Sequence, residues 1–331
     1  MKIKKNINNF LHSLILPVIV YAFFSVLRPQ VFLASGGATV YTILVQSITT
    51  CILGWGMSFT MTVGALDFSI AAEMVLYEIL ATIYYNMGGF WPMFVLTLLS
   101  ALAIGLVKAL VKELLAVQSM VLGLGLTYIL ASIGEILSTG RSTIIGTDAT
   151  ILASVPFNFL ILFVTGFIMW FLVTKSKFGA HARAVGGNQN LAKSAGINEH
   201  VVGFEASMVG SIFAGIAALF TLSRGAGVTP QNGLASLTPA FSSLMCVFIA
   251  LFISKYVDNT VGIYIGAVIM STISIGLVAI GFNSELNSTV TSAFLIVLMT
   301  YTIITEGRKA DRVRREVAAA RITQSAKTEE T

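Results

Sequence analysis

Charge is what this sequence has least of: of 331 residues only 11% are Asp, Glu, Lys or Arg, while 56% are hydrophobic. A soluble domain carries about twice that share of charge. With so little polar surface the chain cannot hide its apolar residues in one core and still face water, so it must use lipid as solvent. Its mean hydropathy of +0.88 agrees. Cysteine is nearly absent as well, and Cys51 and Cys246 each sit inside an apolar run with no partner at metal-ligand spacing, which leaves them as packing residues. His12, His181 and His200 are scattered and form no ligand cluster. No G-x-x-x-x-G-K-[ST] loop occurs, so ATP chemistry belongs to another chain. Without a Ser/His/Asp order or a metal spacing the chain is not expected to be an enzyme, nor to hold a cofactor of its own. Linkers are missing too: the apolar runs follow one another directly, giving one transmembrane domain over 1–305 and a short basic tail over 306–331.

A transmembrane helix needs about 20 mostly apolar residues. Ten stretches qualify, which predicts an all-α polytopic membrane protein: Phe10–Leu27, Thr39–Val63, Ile70–Met87, Trp91–Val111, Met120–Ser138, Phe157–Val173, Val201–Leu222, Pro239–Ser254, Thr260–Phe282 and Thr289–Thr305. The region from Thr39 to Met87 is the hardest to divide, and counts from eight to eleven stay open. The basic start before Phe10 reads as the inner flank of a first span, since no small-x-small cleavage site follows promptly. The net charge of +5 could suggest nucleic acid, but the basic residues cluster in alternate loops and at the termini. Ten spans with an inner N-terminus leave only Arg28, Arg141 and Arg224 outside and put the other 17 Lys and Arg inside. That division predicts a cytoplasmic-membrane protein with both termini in the cytoplasm. The stretch Arg308–Arg321 could lie on the membrane surface, with disorder expected over Thr323–Thr331.

Two stretches interrupt the apolar pattern. In the first, Gly54 to Met74, the centre Gly64-Ala65-Leu66-Asp67-Phe68-Ser69 brings a glycine, an acid and a hydroxyl to membrane depth. Broken backbone survives there only where protein or water satisfies its polar groups, and Ser69 is placed to cap the following helix. Ser69, Glu73 and Tyr77 recur every fourth residue and form one polar stripe. Glu73, Glu78, Glu135 and Glu205 all fall within expected spans and should face the bundle interior or lie near an interface. Gly262 and Gly266, and more weakly Ser211 and Gly215, mark close helix packing.

The second is the polar loop Lys175–His200, KSKFGAHARAVGGNQNLAKSAGINEH, in which Phe178–Ala184 and Gln189–Ala195 read as two short helices broken by Gly186-Gly187-Asn188. A plain connection needs only a handful of residues, so two helical turns suggest a docking surface. The alternative is a solvated basic loop with no partner.

The run FGAHARAVGGNQNLAKSAGIN resembles the cytoplasmic loop of permease subunits from ribose-type ABC importers, whose pattern runs approximately G-x-x-x-x-A-x-G-x-N-x-x-A-A-x-x-S-G-I. Gly64, Asp67 and Ser69 likewise match a family run close to G-G-x-D-L-S-V-G, with Ala65 and Ala71 in place of glycines. The resemblance spans roughly Gly54 to Gly233. Further on, Pro230, Gly233 and Leu237 fit loosely, and the glycine-rich continuation is replaced by LMCVFIALFISKYVDN.

This resemblance implies a type II-like importer permease fold carrying a small polar solute, a ribose-like simple sugar first of all. A nucleoside, an autoinducer-like furanose or a branched-chain amino acid is the alternative. A substrate pathway beside Asp67, Phe68, Ser69, Glu73 and Tyr77 is implied, as is a surface for the ATPase formed by Phe178, Gly179, Arg183, Gly186, Gly187, Asn188, Ala195 and Gly196. The implied partners are an ATP-binding cassette ATPase holding ATP and Mg, a second permease chain (identical or not) and an extracytoplasmic substrate-binding protein that meets the outer loops Thr139–Pro156 and Ser223–Thr238. The rival class is an ion-coupled secondary transporter using its intramembrane acids, but no internal repeat is visible.

Overall fold

The computed structural model describes residues 2–115, 119–139, 143–225, 227–230 and 233–282, with 289, 290, 293, 296 and 300 beyond them. The chain divides into two compact units, Met1–Asn287 and Ser288–Thr331, and every element below belongs to the first. The expected tenth span, Thr289–Thr305, and the tail 306–331 lie almost wholly outside the described residues.

The first unit is a bundle of helices: α1 (Lys2–Leu27), the single turn α2 (Pro29–Phe32), α3 (Ala38–Thr62), α4 (Ser69–Gly88), α5 (Phe90–Leu115), α6 (Ser119–Leu137), α7 (Phe157–Thr174), the short α8 (Lys177–Gly187) and α9 (Gln189–Ser194), then α10 (Glu199–Gly225), α11 (Thr238–Ile253) and α12 (Asn259–Ile280). Helices close their own backbone hydrogen bonds, which is what a bilayer demands. Each of the nine expected spans up to Phe282 falls on one of them. Among the described residues eight helices are long and apolar enough to cross a membrane. α4 is not among these; it has 20 residues but carries Glu73 and Glu78. It lies instead in the interior, against α5, α6 and α10.

The bundle sorts into an inner and an outer set. The membrane-length windows of α3 and α10 are 61% and 72% buried, whereas those of α1 and α7 are 17% buried. The outer helices expose Val18, Leu99, Phe163 and Phe167, an arrangement that suits lipid and would be unstable in water. Between inner helices there is no hydrophobic drive, so small residues bring backbones together. A Cβ on Gly266 would lie 2.8 Å from the Cys246 carbonyl oxygen, and one on Gly262 would lie 3.0 Å from Ala250 Cβ, which locks α12 onto α11. Gly215 meets Ala101, and Gly105 meets Ser211, in the same way, joining α10 to α5.

At one end of the bundle sit α8 and α9. At the other, the two expected long loops pair: β1 (Thr143–Ile144) and β2 (Gly227–Val228) form a two-residue antiparallel ladder. Beside it, the 3-10 segment Thr147–Ala153 is tied down by Tyr85, whose hydroxyl donates to Asp148, and by Ser223, whose hydroxyl donates to the Ala149 carbonyl at 2.8 Å. A second 3-10 segment, Gly233–Leu237, packs against α4 and α6.

Candidate functional site

The connection from α3 to α4 is the first part of the site. α3 ends with Gly64 at φ +84°, where the Ala65 amide returns to the Thr60 carbonyl (3.0 Å) and the Gly64 amide to the Met61 carbonyl (2.9 Å). This is the glycine-closed helix end known as a Schellman motif. The chain then turns back into the bundle. Ile70, in the first turn of α4, touches the position of Gly56, six residues or roughly 9 Å of helical rise back from the tip of α3. Asp67 is therefore carried inward, with only 8% of its surface exposed.

Buried polar groups must find partners, and here they find one another. Asp67 Oδ1 accepts the Ser69 amide at 3.0 Å and the Ser69 hydroxyl at 2.6 Å. The capping acceptor is thus Asp67, which corrects the expectation that Ser69 caps α4: Ser69 is already the first helical residue. Lys108 of α5 places Nζ 2.9 Å from Asp67 Oδ2 and 2.6 Å from Glu73 Oε1. Glu73 Oε2 accepts the Ser211 hydroxyl of α10 at 2.6 Å, and the Tyr77 hydroxyl lies at 3.5 Å. The Ser69 hydroxyl is also 3.1 Å from Glu73 Oε1; with one proton it serves one carboxylate at a time. Glu73 is completely buried and Lys108 is 5% exposed. One ammonium holds two carboxylates, and three helices with the turn between α3 and α4 are pinned at one point.

Of the expected pathway residues, Asp67, Ser69, Glu73 and Tyr77 are brought together. Phe68 is not part of this network; its ring packs on Phe241 of α11, centroids 5.8 Å apart. Lys108 and Ser211 were missed. Lys108 lies near the end of an apolar run, so charge sorting assigned it to an inner loop, whereas it is buried in α5 and paired. Of the four intramembrane acids Glu73 and Glu78 are buried, while Glu135 and Glu205 are exposed near helix ends. One oxygen of Glu78 has no hydrogen-bond partner.

The second part of the site is the α8–α9 pair. Ser176 caps α8, accepting the Gly179 amide at 3.0 Å. Phe178, Ala182 and Val185 recur at helical spacing toward the bundle, and the Phe178 ring stacks on Phe59 of α3 with centroids 4.6 Å apart. A Cβ on Gly186 would come within 1.8 Å of the Thr62 carbonyl oxygen, and one on Gly179 within 2.3 Å of the Leu172 carbonyl oxygen. Both glycines are therefore required by close backbone approach to the ends of α3 and α7. Arg183 donates to the Val173 carbonyl, reinforcing the same seat.

Two expectations are corrected here. Gly186 and Gly187 do not form a hinge: both continue α8, and the break falls on Asn188 alone, which has extended backbone (φ −162°, ψ 106°) and caps α9 by accepting the Leu191 amide at 3.1 Å. Nor do the eight expected docking residues share one surface. Phe178, Gly179, Arg183 and Gly186 hold α8 to the bundle, the last two while also exposed, and Gly187, Asn188, Ala195 and Gly196 are exposed. Gly196 has φ +79° and turns the chain toward α10. The exposed face also carries Leu191, an apolar side chain 68% exposed on a polar helix pair.

Comparison with known proteins gives the family. Residues 39–299 match the family described as the branched-chain amino acid transport system / permease component, and the chain belongs to that family. It is an all-α, multi-pass membrane permease, a transport component. The match runs further toward the C-terminus than the motif resemblance did. The chain is 26% identical to the D-allose transport system permease protein of Escherichia coli (strain K12) over 268 residues, covering 78% of this chain and 81% of that protein. It is 24% identical to the galactofuranose transporter permease protein of the same organism, covering 78% and 77%. Against the ribose import permease protein of Haemophilus influenzae it is 22% identical, covering 82% and 86%. No solved structure matches.

Proposed function

We propose that this chain is the membrane-spanning subunit of an ABC importer for a simple sugar, driven by a separate ATPase that seats on α8 and α9. One observation carries the reading. A helix pair at the end of the bundle is clamped from below by two glycine contacts and an aromatic stack, yet turns an apolar Leu191 and the basic Lys193 outward. A connection without a partner would have no reason to be rigid on one side and apolar on the other. The sugar class comes from the relatives, whose names are those of permeases for allose, galactofuranose and ribose. On this reading the α8–α9 end is cytoplasmic, both termini are cytoplasmic, and ATP and Mg reside on the ATPase. The β1–β2 end faces an extracytoplasmic binding protein, and a second permease chain completes the pathway.

Movement of α8 reaches the membrane interior by a short route. Gly186 rests on the Thr62 carbonyl at the tip of α3, and five residues later Asp67 is held by Lys108 and Glu73 through Ser69. In this conformation that network is buried, with Glu73 at 0%, Lys108 at 5% and Asp67 at 8% exposure. Its role is to transmit displacement between the docking pair and α4, α5 and α10, and the four clustered pathway residues act by positioning. The test is reconstitution with its cognate ATPase and binding protein. Uptake of radiolabelled D-allose, D-ribose or D-galactose that requires ATP is the expected result; uptake driven by an ion gradient without ATP would overturn it.

A further inference from the structure

Beneath the α3–α4 turn, at the α8–α9 end, lies a chamber of about 360 Å³. Its walls come from five places: the turn itself at Gly64 and Ala65, the last turns of α5, the start of α6, the first turns of α10, and the inner side of α8 and α9. The volume falls in the range of small-molecule sites, roughly 300–1,000 Å³. Polar groups of both kinds converge on it. Lys112 offers an ammonium, Glu113 and Glu199 carboxylates, and Gln189 an amide, while Phe204 and Val185 supply apolar wall. His200 Nδ1 lies 2.9 Å from Glu113 Oε1 and ties α10 to α5 at the rim.

The charge balance narrows the ligand. An anion would meet two carboxylates against one lysine, and a cation would meet the Lys112 ammonium. A neutral molecule bearing many hydroxyls can donate to Glu113 and Glu199, accept from Lys112 and Gln189, and lay an apolar face on Phe204. We propose that this chamber binds a neutral polyhydroxylated solute of monosaccharide size, entering from the α8–α9 end, and that the occupied chamber slows the transport cycle. This rests on the importer reading above, from which the sugar class follows. The consequence for the cycle follows from the walls. A ligand touching Gln189 and Val185 on one side and Lys112 and Glu199 on the other bridges the docking pair to the bundle. It stabilises the arrangement in which the two are together and opposes any step that parts them. The delivered sugar would thereby restrain its own import.

Gly203 provides a clean probe. It lines the chamber, and a Cβ there meets nothing within 4 Å, so Gly203→Leu fills the void without a clash at its root. Ser119→Leu fills it from the opposite wall. The permease–ATPase complex in nanodiscs, without binding protein, is presented with D-allose, D-ribose and D-galactose in turn, and with ribose 5-phosphate as the anionic counterpart. Binding is read by saturation-transfer NMR and ATPase rate is read alongside. At least one neutral sugar should bind the unsubstituted complex and lower its ATPase rate several-fold. Either plugging variant should weaken that binding at least tenfold and remove the inhibition, and ribose 5-phosphate should not bind. Absence of binding by all three sugars overturns the proposal, as does equal binding by the plugged variants. Uptake by the same complex with its binding protein is scored separately. Uptake without chamber binding sinks the chamber and leaves the importer reading intact; chamber binding without ATP-driven uptake sinks the importer reading alone.

Discussion

The two polar interruptions in this chain solve opposite problems. The turn at 63–68 begins exposed at Gly64 and runs back into the bundle, where the carboxylate of the buried Asp67 is partnered by Ser69 and Lys108. The α8–α9 pair lies at the bundle end, where water satisfies spare groups, and it keeps an exposed apolar residue instead. Glycine shows the difference most simply. Gly64 is needed for its positive φ, since nothing crowds the space where a Cβ would be. Gly186 is needed because the Thr62 carbonyl occupies that space. A break that turns back into the bundle is specified by hydrogen bonding, whereas one on the bundle's end is specified by what it docks against.

The comparison can be broken first from the inside. Lys108→Ala should have the largest effect on the permease itself, because it leaves two buried carboxylates without their cation, a loss of about 3–5 kcal/mol for a broken buried pair. Asp67→Ala should be milder, about 1–3 kcal/mol for an unpaired buried donor, since Lys108 keeps Glu73. Thermal unfolding of the purified permease in detergent measures both. A Lys108→Ala protein as stable as the unsubstituted one would remove the cluster from the account.

Next comes the contact between the two regions. Gly186→Ala must lift α8 from the tip of α3, whereas Gly187→Ala enters open space. Gly186→Ala should insert normally and lose most ATP-linked uptake, and Gly187→Ala should retain it. Equal transport by the two variants would show that α8 does not act through its seat on Thr62.

Much of this was legible beforehand, for reasons that also explain the rest. The helices from Phe10 to Phe282 were readable because a bilayer forces long apolar runs with polar ends, although α4 is not apolar enough to count as a span. The stripe of Ser69, Glu73 and Tyr77 was readable because helix periodicity puts every fourth residue on one face. The start of α9 at Gln189 was readable from the break before it, although only Asn188 of Gly186-Gly187-Asn188 makes that break. Lys108 was not readable: its partner Asp67 is 41 residues away, and a lysine near a helix end looks the same whether it meets water or a buried acid. Gly186 and Gly187 are identical letters in sequence, and only the Thr62 carbonyl distinguishes them. Leu191 was passed over because one leucine in a polar loop carries no pattern of its own.

The smallest effect on the permease's own stability, and the most direct test of the docking claim, comes from Leu191→Asp. The side chain is exposed, so the substitution should change the unfolding temperature little, as surface changes usually stay within about 0.5 kcal/mol. The measurement is the ratio of ATPase to permease after affinity purification of the co-expressed complex. A folded Leu191→Asp permease that returns with its ATPase largely lost is the predicted result. Recovery of the ATPase at the unsubstituted ratio would contradict the assignment of α8 and α9 as its seat.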